Sequence, residues 1–257
     1  MRQVPDLEPP TIRAFRNDIV PAAQPAVLRD VAGSWPLTAA AKRDTAACMA
    51  LLSAHATAEP VKILQADPAE DGRFHYSPDG KSLNFIQGRT SLAIFLDALL
   101  KQMASDRPYS MVAQGLIAER YFPDFASAHP MPFAPALSEP RFWIGNAAKV
   151  ATHKDATDNL AVVAAGRRRF TLFPPEAEAS LYMGPTHPTP AGTPVSMVHV
   201  TAPDLDRFPK FEAALQIAQE ADLAPGDAIF IPAGWFHHVE SLERFNILVN
   251  YWSEPGS

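Results

Sequence analysis

Apolar and polar residues alternate along much of the second half of this chain, a pattern typical of β-strands. From about residue 109 onwards, short strand-forming runs recur between turns, at residues 142–145, 159–164, 168–173, 228–231 and 245–252. One run of helical spacing, residues 211–220, interrupts them. The pattern predicts a mainly β core in residues 109–257.

The first 108 residues have a different pattern, with helical spacing in two places. One helix is predicted over residues 38–56, and the clearer one follows Gly88, with Thr90 or Ser91 as its cap and an apolar stripe of Leu92, Phe95, Leu96, Leu99 and Met103. Between them, Val61–Ala66 predicts a strand, and residues 74–85 predict a hairpin that turns at Pro78, Asp79 and Gly80. We therefore expect a single domain, residues 1–257, in which residues 1–108 form a helix-rich N-terminal cover.

The composition narrows the class of protein. The 257 residues include 28 acidic and 22 basic ones, a net charge of −6 that argues against a broad phosphate-binding surface, so no nucleic-acid partner is expected. The lone Cys48 makes neither an intramolecular disulfide nor a thiolate zinc cluster. The N-terminus lacks the apolar core of a secretory signal, and no apolar stretch is long enough for a membrane span, so we expect a cytoplasmic protein without membrane partners.

Prolines are abundant and unevenly placed. The chain has 26 of them, about twice the usual share of roughly 5%. Because proline is excluded from helix interiors and central strands, this excess favours a turn-rich β architecture. The densest stretch, residues 184–209, has six prolines and little periodicity, and we expect this long excursion to face the substrate.

Two histidine motifs suggest metal chemistry. His153 and Asp155 are two residues apart, so on a strand their side chains project from the same face. A second motif places His237 and His238 after a proline-glycine turn and two aromatic residues. Two histidines and one carboxylate on neighbouring strands form the facial triad of non-haem Fe(II) oxygenases, which leaves coordination positions open for substrate and oxygen.

The residues alone leave alternatives open. The chain has eight histidines, and at an average content of acidic residues the expected number of His-x-Asp motifs that arise by coincidence is about 0.5. The motif alone is therefore weak evidence for a metal site. His238 and Glu240 form a competing His-x-Glu motif on the face opposite His237. A histidine beside aromatic residues is also more often a packed core residue than a metal ligand.

Other polar residues share faces with apolar ones. Arg168 alternates with Phe170 and Leu172, so an inward face would bury a guanidinium that needs an anion, and a dicarboxylate ligand would serve. An acidic residue of the protein, or a solvated face for the triple-arginine run, would explain Arg168 equally well. Asn250 lies on the face of its strand that also carries apolar residues, and Asn159 follows Asp155 by four positions. Buried amides need partners, and a bound ligand is one candidate.

Ordered motifs over about residues 140–252 resemble those of the JmjC, or cupin-like, 2-oxoglutarate oxygenases. They are FWIGN (142–146), THKD (152–155), AGRRRFTLFPP (165–175), PGDAIFIP (225–232), WFHHVES (235–241) and VNYW (249–252). The hypoxia-inducible-factor asparaginyl hydroxylase and many bacterial cupin-like proteins belong to this family, and the N-terminal half resembles it only loosely. The resemblance implies a double-stranded β-helix, or jelly roll, with the metal at its mouth.

The resemblance also implies roles for individual residues. His153, Asp155 and His237 match the Fe(II) ligands, and His237 is preferred over His238 because the ligand directly follows the aromatic pair. Arg168 stands where relatives often have a lysine that binds the distal carboxylate of 2-oxoglutarate.

The remaining correspondences concern the surroundings of the cosubstrate. Asn159 and Asn250 match residues near the cosubstrate and metal, and Tyr109 aligns loosely with a cosubstrate-binding tyrosine. Val150 replaces a threonine that often precedes the His-x-Asp motif by three positions, which removes one expected hydroxyl contact.

The activity implied is that of an Fe(II)- and 2-oxoglutarate-dependent dioxygenase. It would hydroxylate or demethylate a polypeptide side chain and release succinate and CO2. The alternative is a metal- or ligand-binding cupin module without oxygenase activity, with a regulatory role. Because the chain ends five residues after Trp252, we expect that any homodimer does not use a C-terminal helical extension.

Overall fold

The fold is known from a computed structural model that describes residues 1–134 and 138–256. Within this part of the chain, fifteen strands form two sheets. In chain order they are β1 (Arg2–Gln3), β2 (Asp6–Leu7), β3 (Ala26–Leu28), β4 (Val61–Ala66), β5 (Arg73–Phe74), β6 (Phe85–Thr90), β7 (Ser110–Ile117), β8 (Arg141–Gly145), β9 (Lys149–Lys154), β10 (Asp158–Ala165), β11 (Arg168–Phe173), β12 (Gln219–Leu223), β13 (Ala228–Ile231), β14 (Phe236–Ser241) and β15 (Asn246–Ser253).

The two sheets form the predicted jelly roll. The smaller has the order β1-β12-β11-β14-β9-β5, and the larger has the order β2-β3-β13-β10-β15-β8-β7-β4-β6. Their facing surfaces enclose a cluster of buried apolar side chains that includes Phe170, Leu172, Ile229, Val239 and Leu248. The chain neighbours of Ile229 and Leu248 are buried as well, because they face the helices on the other side of the larger sheet. The sequence pattern predicted β8, β10, β11, β13 and β15, whereas β7 and β12 were not predicted.

The helices lie outside the two sheets. They are α1 (Ile12–Ala14), α2 (Val20–Ala22), α3 (Pro36–Arg43), α4 (Thr45–His55), α5 (Leu92–Met103), α6 (Ala118–Tyr121), α7 (Phe125–Ala128) and α8 (Phe211–Ile217). Most of the N-terminal ones pack against the outer face of the larger sheet, whereas α8 covers the smaller sheet through Phe211 and Ala214. None of the helices in the described ranges is long and apolar enough to cross a membrane.

The predicted helix that follows Gly88 is confirmed as α5. Ser91 caps it by accepting a hydrogen bond from the Ile94 amide at 3.3 Å. Leu92, Phe95, Leu96 and Leu99 are buried, as the apolar stripe requires.

The single helix predicted over residues 38–56 is wrong, because the chain forms two helices, α3 and α4. Asp44 separates them with extended backbone, at φ −170° and ψ 160°. Its carboxylate accepts a hydrogen bond from the Ala47 amide at 2.6 Å, so the side chain starts α4 afresh instead of continuing α3.

The N-terminal 108 residues are more than a helical cover, because they contribute six strands to the two sheets. β3 pairs antiparallel with β13, and β4 joins β6 to β7 at one end of the larger sheet. The predicted hairpin forms with its turn at the expected residues, where the Gly80 amide donates to the Ser77 carbonyl at 2.9 Å, and a bridge joins Tyr76 to Leu83. The hairpin is short because β5 pairs with β9 in one sheet and β6 pairs with β4 in the other. The flanking strands are thus committed to different sheets.

The predicted helix over residues 211–220 is shorter than expected. Helix α8 ends at Ile217, and Ala218 is extended. The following residues form β12, which pairs with β11 on one side and β1 on the other, so hydrogen bonds to two strands outweigh continuation of the helix.

The proline-rich excursion, residues 184–209, contains no strand or helix among the named elements of the described chain. It begins beside the bridge between Met183 and Ser196, and the Ser196 amide donates to the Thr152 carbonyl of β9 at 2.8 Å. The excursion therefore folds back onto the strand that carries His153.

Candidate metal and cosubstrate site

A cavity of about 350 Å³ lies between the two sheets. Strands of both sheets line it, and Pro190, Ala191 and Val195 of the excursion also contribute. The expectation that the excursion faces the candidate site is thus supported by the position of these three residues. Of the residues proposed from sequence, the cavity wall includes His153, Asp155, Asn159, Arg168, His237 and Asn250.

His153, Asp155 and His237 converge at this cavity. One ligand atom of each lies within 4.8 Å of the others. His153 pairs directly with His237 across the β9–β14 ladder, while Asp155 follows the end of β9. The His237 Nε2 atom is 3.9 Å from Asp155 Oδ2. The strand geometry therefore brings together two residues that are 84 positions apart in the sequence, as 237 − 153 shows.

Backbone carbonyls orient both imidazoles. The Nδ1 atom of His153 donates to the Ala151 carbonyl at 2.9 Å, and that of His237 donates to the Trp235 carbonyl at 3.3 Å. With the proton on Nδ1, each Nε2 keeps its lone pair for a metal. Burial, together with the nearby His153, lowers the pKa of His237 to about 4, so this ring is neutral at neutral pH.

Two further contacts hold Asp155, one at its carboxylate and one at its backbone carbonyl. The indole Nε1 of Trp252 donates to Asp155 Oδ2 at 3.1 Å, and the Gly234 amide donates to the Asp155 carbonyl at 2.9 Å. Gly234 adopts a φ of +82°, a conformation that glycine accommodates without strain. The turn before β14 thus fixes Asp155 as well as leading into His237.

The donor set fits a divalent transition metal. Two imidazoles with free Nε2 atoms and one carboxylate would supply three ligands to an ion, the donor set that leaves open positions in non-haem iron enzymes. The carbonyl bonds to both imidazoles and the indole bond to Asp155 fix the donors before any metal arrives.

Arg168 is an unpaired cation in the wall of the same cavity. Its side chain is 5% exposed, and its Nε atom has no hydrogen-bond partner in the described residues. The neighbours of Arg168 across the ladders are Leu223 and Ser241, neither of which is acidic. Burial lowers the pKa of the guanidinium to about 10, which still leaves it charged. A buried charge without an acidic partner requires an anion from outside the chain.

Asn159 and Asn250 contact each other in the cavity. The Asn250 Nδ2 atom donates to Asn159 Oδ1 at 2.8 Å, and the remaining Asn250 oxygen has no partner among the described residues. Both side chains are buried, so the sequence-based expectation that they face inward is met. An acceptor is thus left available to a ligand.

The structure does not bring Tyr109 to the cavity. Its side chain is 40% exposed, and it precedes β7. Only its backbone is engaged, with its amide donating to Gln102 and its carbonyl accepting from Asn146. Val150 does line the cavity, where it presents methyl groups in place of the hydroxyl expected in relatives.

His238 and Glu240 are excluded from the triad. They point to the other face of β14, where His238 Nε2 lies 3.6 Å from Glu240 Oε1. His238 lines a second, much smaller pocket together with His75 and His199. The competing His-x-Glu motif is therefore not part of the main cavity.

Sequence reasoning missed several residues of the site. Lys62 and Gln114 line the cavity from β4 and β7, and Trp252 bonds to Asp155. Alternation with the buried Leu64 could have placed Lys62 on the inner face of its strand. No local pattern shows that β4 extends the same sheet, because its neighbours β6 and β7 are chosen by tertiary pairing.

Two histidines and a carboxylate that could together hold a metal ion lie at the wall of a jelly-roll cavity. A family model described as "Cupin-like domain" matches residues 12–256. The chain therefore belongs to the cupin-like family.

Curated proteins with related sequences are of several kinds. "Lysine-specific demethylase JMJ31" of Arabidopsis thaliana is 40% identical over 120 residues, which are 46% of this chain and 21% of that protein. "HSPB1-associated protein 1" of Rattus norvegicus is 39% identical over 119 residues, 45% of this chain and 24% of that protein. "tRNA wybutosine-synthesizing protein 5" of Mus musculus is 38% identical over 107 residues, 41% of this chain and 31% of that protein. The matches thus span less than a third of each relative.

Proposed function

We propose that this protein is an Fe(II)- and 2-oxoglutarate-dependent dioxygenase that hydroxylates a polypeptide side chain. One observation carries the proposal: the buried, unpaired Arg168 lines the same cavity as the His153, Asp155 and His237 triad. A dicarboxylate cosubstrate satisfies both features, because one end suits a guanidinium and the other end, a keto acid, suits a metal.

His153, Asp155 and His237 would hold the Fe(II). When bound, Fe(II) supplies the activation of O2 that splits 2-oxoglutarate into succinate and CO2, with one oxygen atom entering succinate and the other the substrate C–H bond. The protein contributes the orientation of the ligands, through the carbonyls of Ala151 and Trp235 and the indole of Trp252.

Arg168 binds the distal carboxylate of the cosubstrate in this proposal. The planar guanidinium offers two parallel N–H groups and stays charged at neutral pH. Asn159 and Asn250, which are bonded to each other, contact the cosubstrate from the opposite sheet. The apolar side chains of Phe170, Val239 and Leu248 line the space around these groups and exclude water.

A polypeptide substrate and a cytoplasmic location are also part of the proposal. The name of the related JMJ31 specifies lysine as its target, which supports an amino-acid side chain as the acceptor of oxygen. The relative named for tRNA modification points to nucleic acid, but the net charge of −6 disfavours a phosphate backbone.

Cosubstrate binding and turnover test the proposal together. We expect the Mn(II)-loaded protein, kept anaerobic, to bind 2-oxoglutarate in calorimetry, and the Fe(II)-loaded protein to form succinate in air. Arg168→Met should abolish both, and His153→Ala should abolish succinate formation. Arg169→Met is the matched control, because Arg169 lies on the opposite face of β11 and pairs with Asp222 at 2.7 Å.

The competing function is a metal- or ligand-binding cupin without oxygenase activity. The absence of a hydroxyl at Val150 is the observation that favours it. Metal binding without any 2-oxoglutarate binding would establish that alternative, and succinate formation that persists in His153→Ala would refute the assignment of the site.

A further inference from the structure

A row of cationic and polar side chains crosses three neighbouring strands at the mouth of the cavity. Lys62 of β4 lies directly opposite Arg89 of β6. Gln114 of β7 is the residue after Ala113, which pairs with Ile63 of β4, so Gln114 flanks Lys62 on the other side. Lys62 and Gln114 both line the cavity, and Lys62 is exposed, which places it at the opening.

The pairing of Lys62 with Arg89 is electrostatically unfavourable. Like charges directly opposite each other on neighbouring strands destabilise a sheet. Lys62 forms no ion pair within the described chain, and the Arg89 guanidinium has one hydrogen bond there, a weak one of 3.4 Å to the Pro60 carbonyl. Neither cation therefore forms an ion pair with an acidic residue in the part of the chain that the structure describes.

The cavity wall also carries more cationic than acidic side chains. Lys62 and Arg168 are cations, whereas the one acidic residue in the described wall is Asp155, which belongs to the metal triad. The whole chain has a net charge of −6, so the local excess of positive charge at the opening runs against its composition. Such a local field attracts an anionic partner.

The edge of the sheet is open beside this row. β6 is the last strand of the larger sheet, and Gln87 and Arg89 are exposed along it. A polypeptide in extended conformation can lie along such an edge and place side chains towards the neighbouring strand. The direction from Arg89 through Lys62 leads into the cavity.

We propose that Lys62 and Arg89 bind acidic side chains of the polypeptide substrate, next to the residue that enters the cavity. This inference rests on the proposed function and specifies the class of substrate. Two cations suit one or two carboxylates, whereas a nucleic-acid backbone is gripped by a longer basic track, which a chain of net charge −6 opposes.

Direct binding tests the inference without requiring turnover. Fluorescent peptides of equal length, one rich in Glu, one rich in Lys and one neutral, are titrated into the protein, together with a single-stranded RNA of similar length. We expect the Glu-rich peptide to bind most tightly, and the double variant Lys62→Glu, Arg89→Glu to bind it about tenfold more weakly. Lys210→Glu is the matched control, because Lys210 is exposed but lies outside the cavity wall.

A second measurement separates this inference from the proposed function. Peptide-independent formation of succinate from 2-oxoglutarate should be unchanged in the single variant Arg89→Glu, because Arg89 lies outside the cavity wall. Stimulation of that turnover by peptides drawn from a Glu-rich mixture should be lost. Equal binding of the three peptides, preference for the RNA, or full binding by the double variant would overturn the inference, even if basal turnover is intact.

Discussion

His153 and His237 face each other across the β9–β14 ladder, with ring centroids 4.4 Å apart, and each donates its Nδ1 proton to the carbonyl two residues before it. The same local bond on two strands leaves both Nε2 atoms free. Two free Nε2 atoms beside the Asp155 carboxylate form a site that a bound cation would stabilise.

The triad of His153, Asp155 and His237 should therefore bind the metal, and the adjacent His238 should not contribute to binding. We expect His153→Ala, Asp155→Ala and His237→Ala each to lose measurable Fe(II) or Mn(II) binding in calorimetry. His238→Gln is the control, because His238 adjoins His237 but faces Glu240 on the other side of the strand. Retention of one equivalent of metal by all three triad variants would contradict the assignment.

The indole of Trp252 is a positioning group for Asp155. Trp252→Phe removes the Nε1–H donor but keeps an aromatic ring against Trp143, whose ring centroid lies 5.3 Å away. We expect about a 10- to 100-fold loss of metal affinity with little change in thermal stability. An affinity equal to that of the wild type would show that the backbone alone holds the carboxylate.

The buried charge of Arg168 should lower the free energy of unfolding when no ligand is bound. Replacing it with Met removes a buried charge that has no acidic partner, so we expect a gain of about 1–3 kcal/mol in the free energy of unfolding, measured with denaturant. Arg169→Met should have the opposite sign and a small effect, below about 1 kcal/mol, because it removes a partly exposed pair with Asp222. Destabilisation by both variants would indicate that Arg168 has a protein partner.

The free energy of unfolding should decrease at acid pH because of His199, which lines the smaller pocket together with His75 and His238. Burial, together with the nearby His75, Arg73, His238 and Lys149, lowers the pKa of His199 from 6.5 to about 4. As the pH falls, His199 is protonated in the unfolded chain before it is protonated in the folded protein, and this favours unfolding. The stability associated with the neutral His199 ring is therefore complete above about pH 6.5 and is lost as the pH falls towards 4.

A matched pair of variants measures this contribution. Melting temperatures of His199→Gln should decline less between pH 6.5 and 4 than those of the wild type. His187→Gln, which changes an exposed histidine, should follow the wild-type curve. Parallel curves for all three proteins would assign the acid sensitivity to other groups.

The inward face of β11 could be predicted from sequence because alternation is local. Arg168, Phe170 and Leu172 share the inner face as the period of two requires, and all three are buried. The two candidate ligand histidines were found for a similar reason, since His153 lies within β9 and His237 within β14. Asp155 was proposed from its two-residue spacing to His153 on one strand, but it lies just beyond the end of β9.

The sequence-based predictions failed at positions where contacts between distant parts of the chain determine the structure. Asp44 interrupts a helical pattern because its side chain caps the next helix, a choice that hydrophobic spacing does not reveal. Tyr109 precedes its strand, so alternation assigned it no face, and the amide of Asn146 holds its backbone in a position that leaves the ring exposed. Lys62 was missed because its strand pairs with partners that are distant or weakly patterned in sequence.

Ser196 is where the proline-rich excursion is fastened to the jelly roll. Its amide bonds to Thr152, its carbonyl accepts from His75 Nε2 at 2.8 Å, and its hydroxyl donates to the Leu181 carbonyl. The segment between Gly184 and Val195 is held at its ends, by the Gly184 amide, which donates to the Val195 carbonyl at 2.8 Å, and by the Tyr76 hydroxyl, which donates to the Pro185 carbonyl at 2.8 Å and accepts from the Val195 amide at 3.3 Å. We expect a segment of different length or composition between these two ends to change the wall of the cavity, which includes Pro190 and Ala191, while β9 and β14 keep their register.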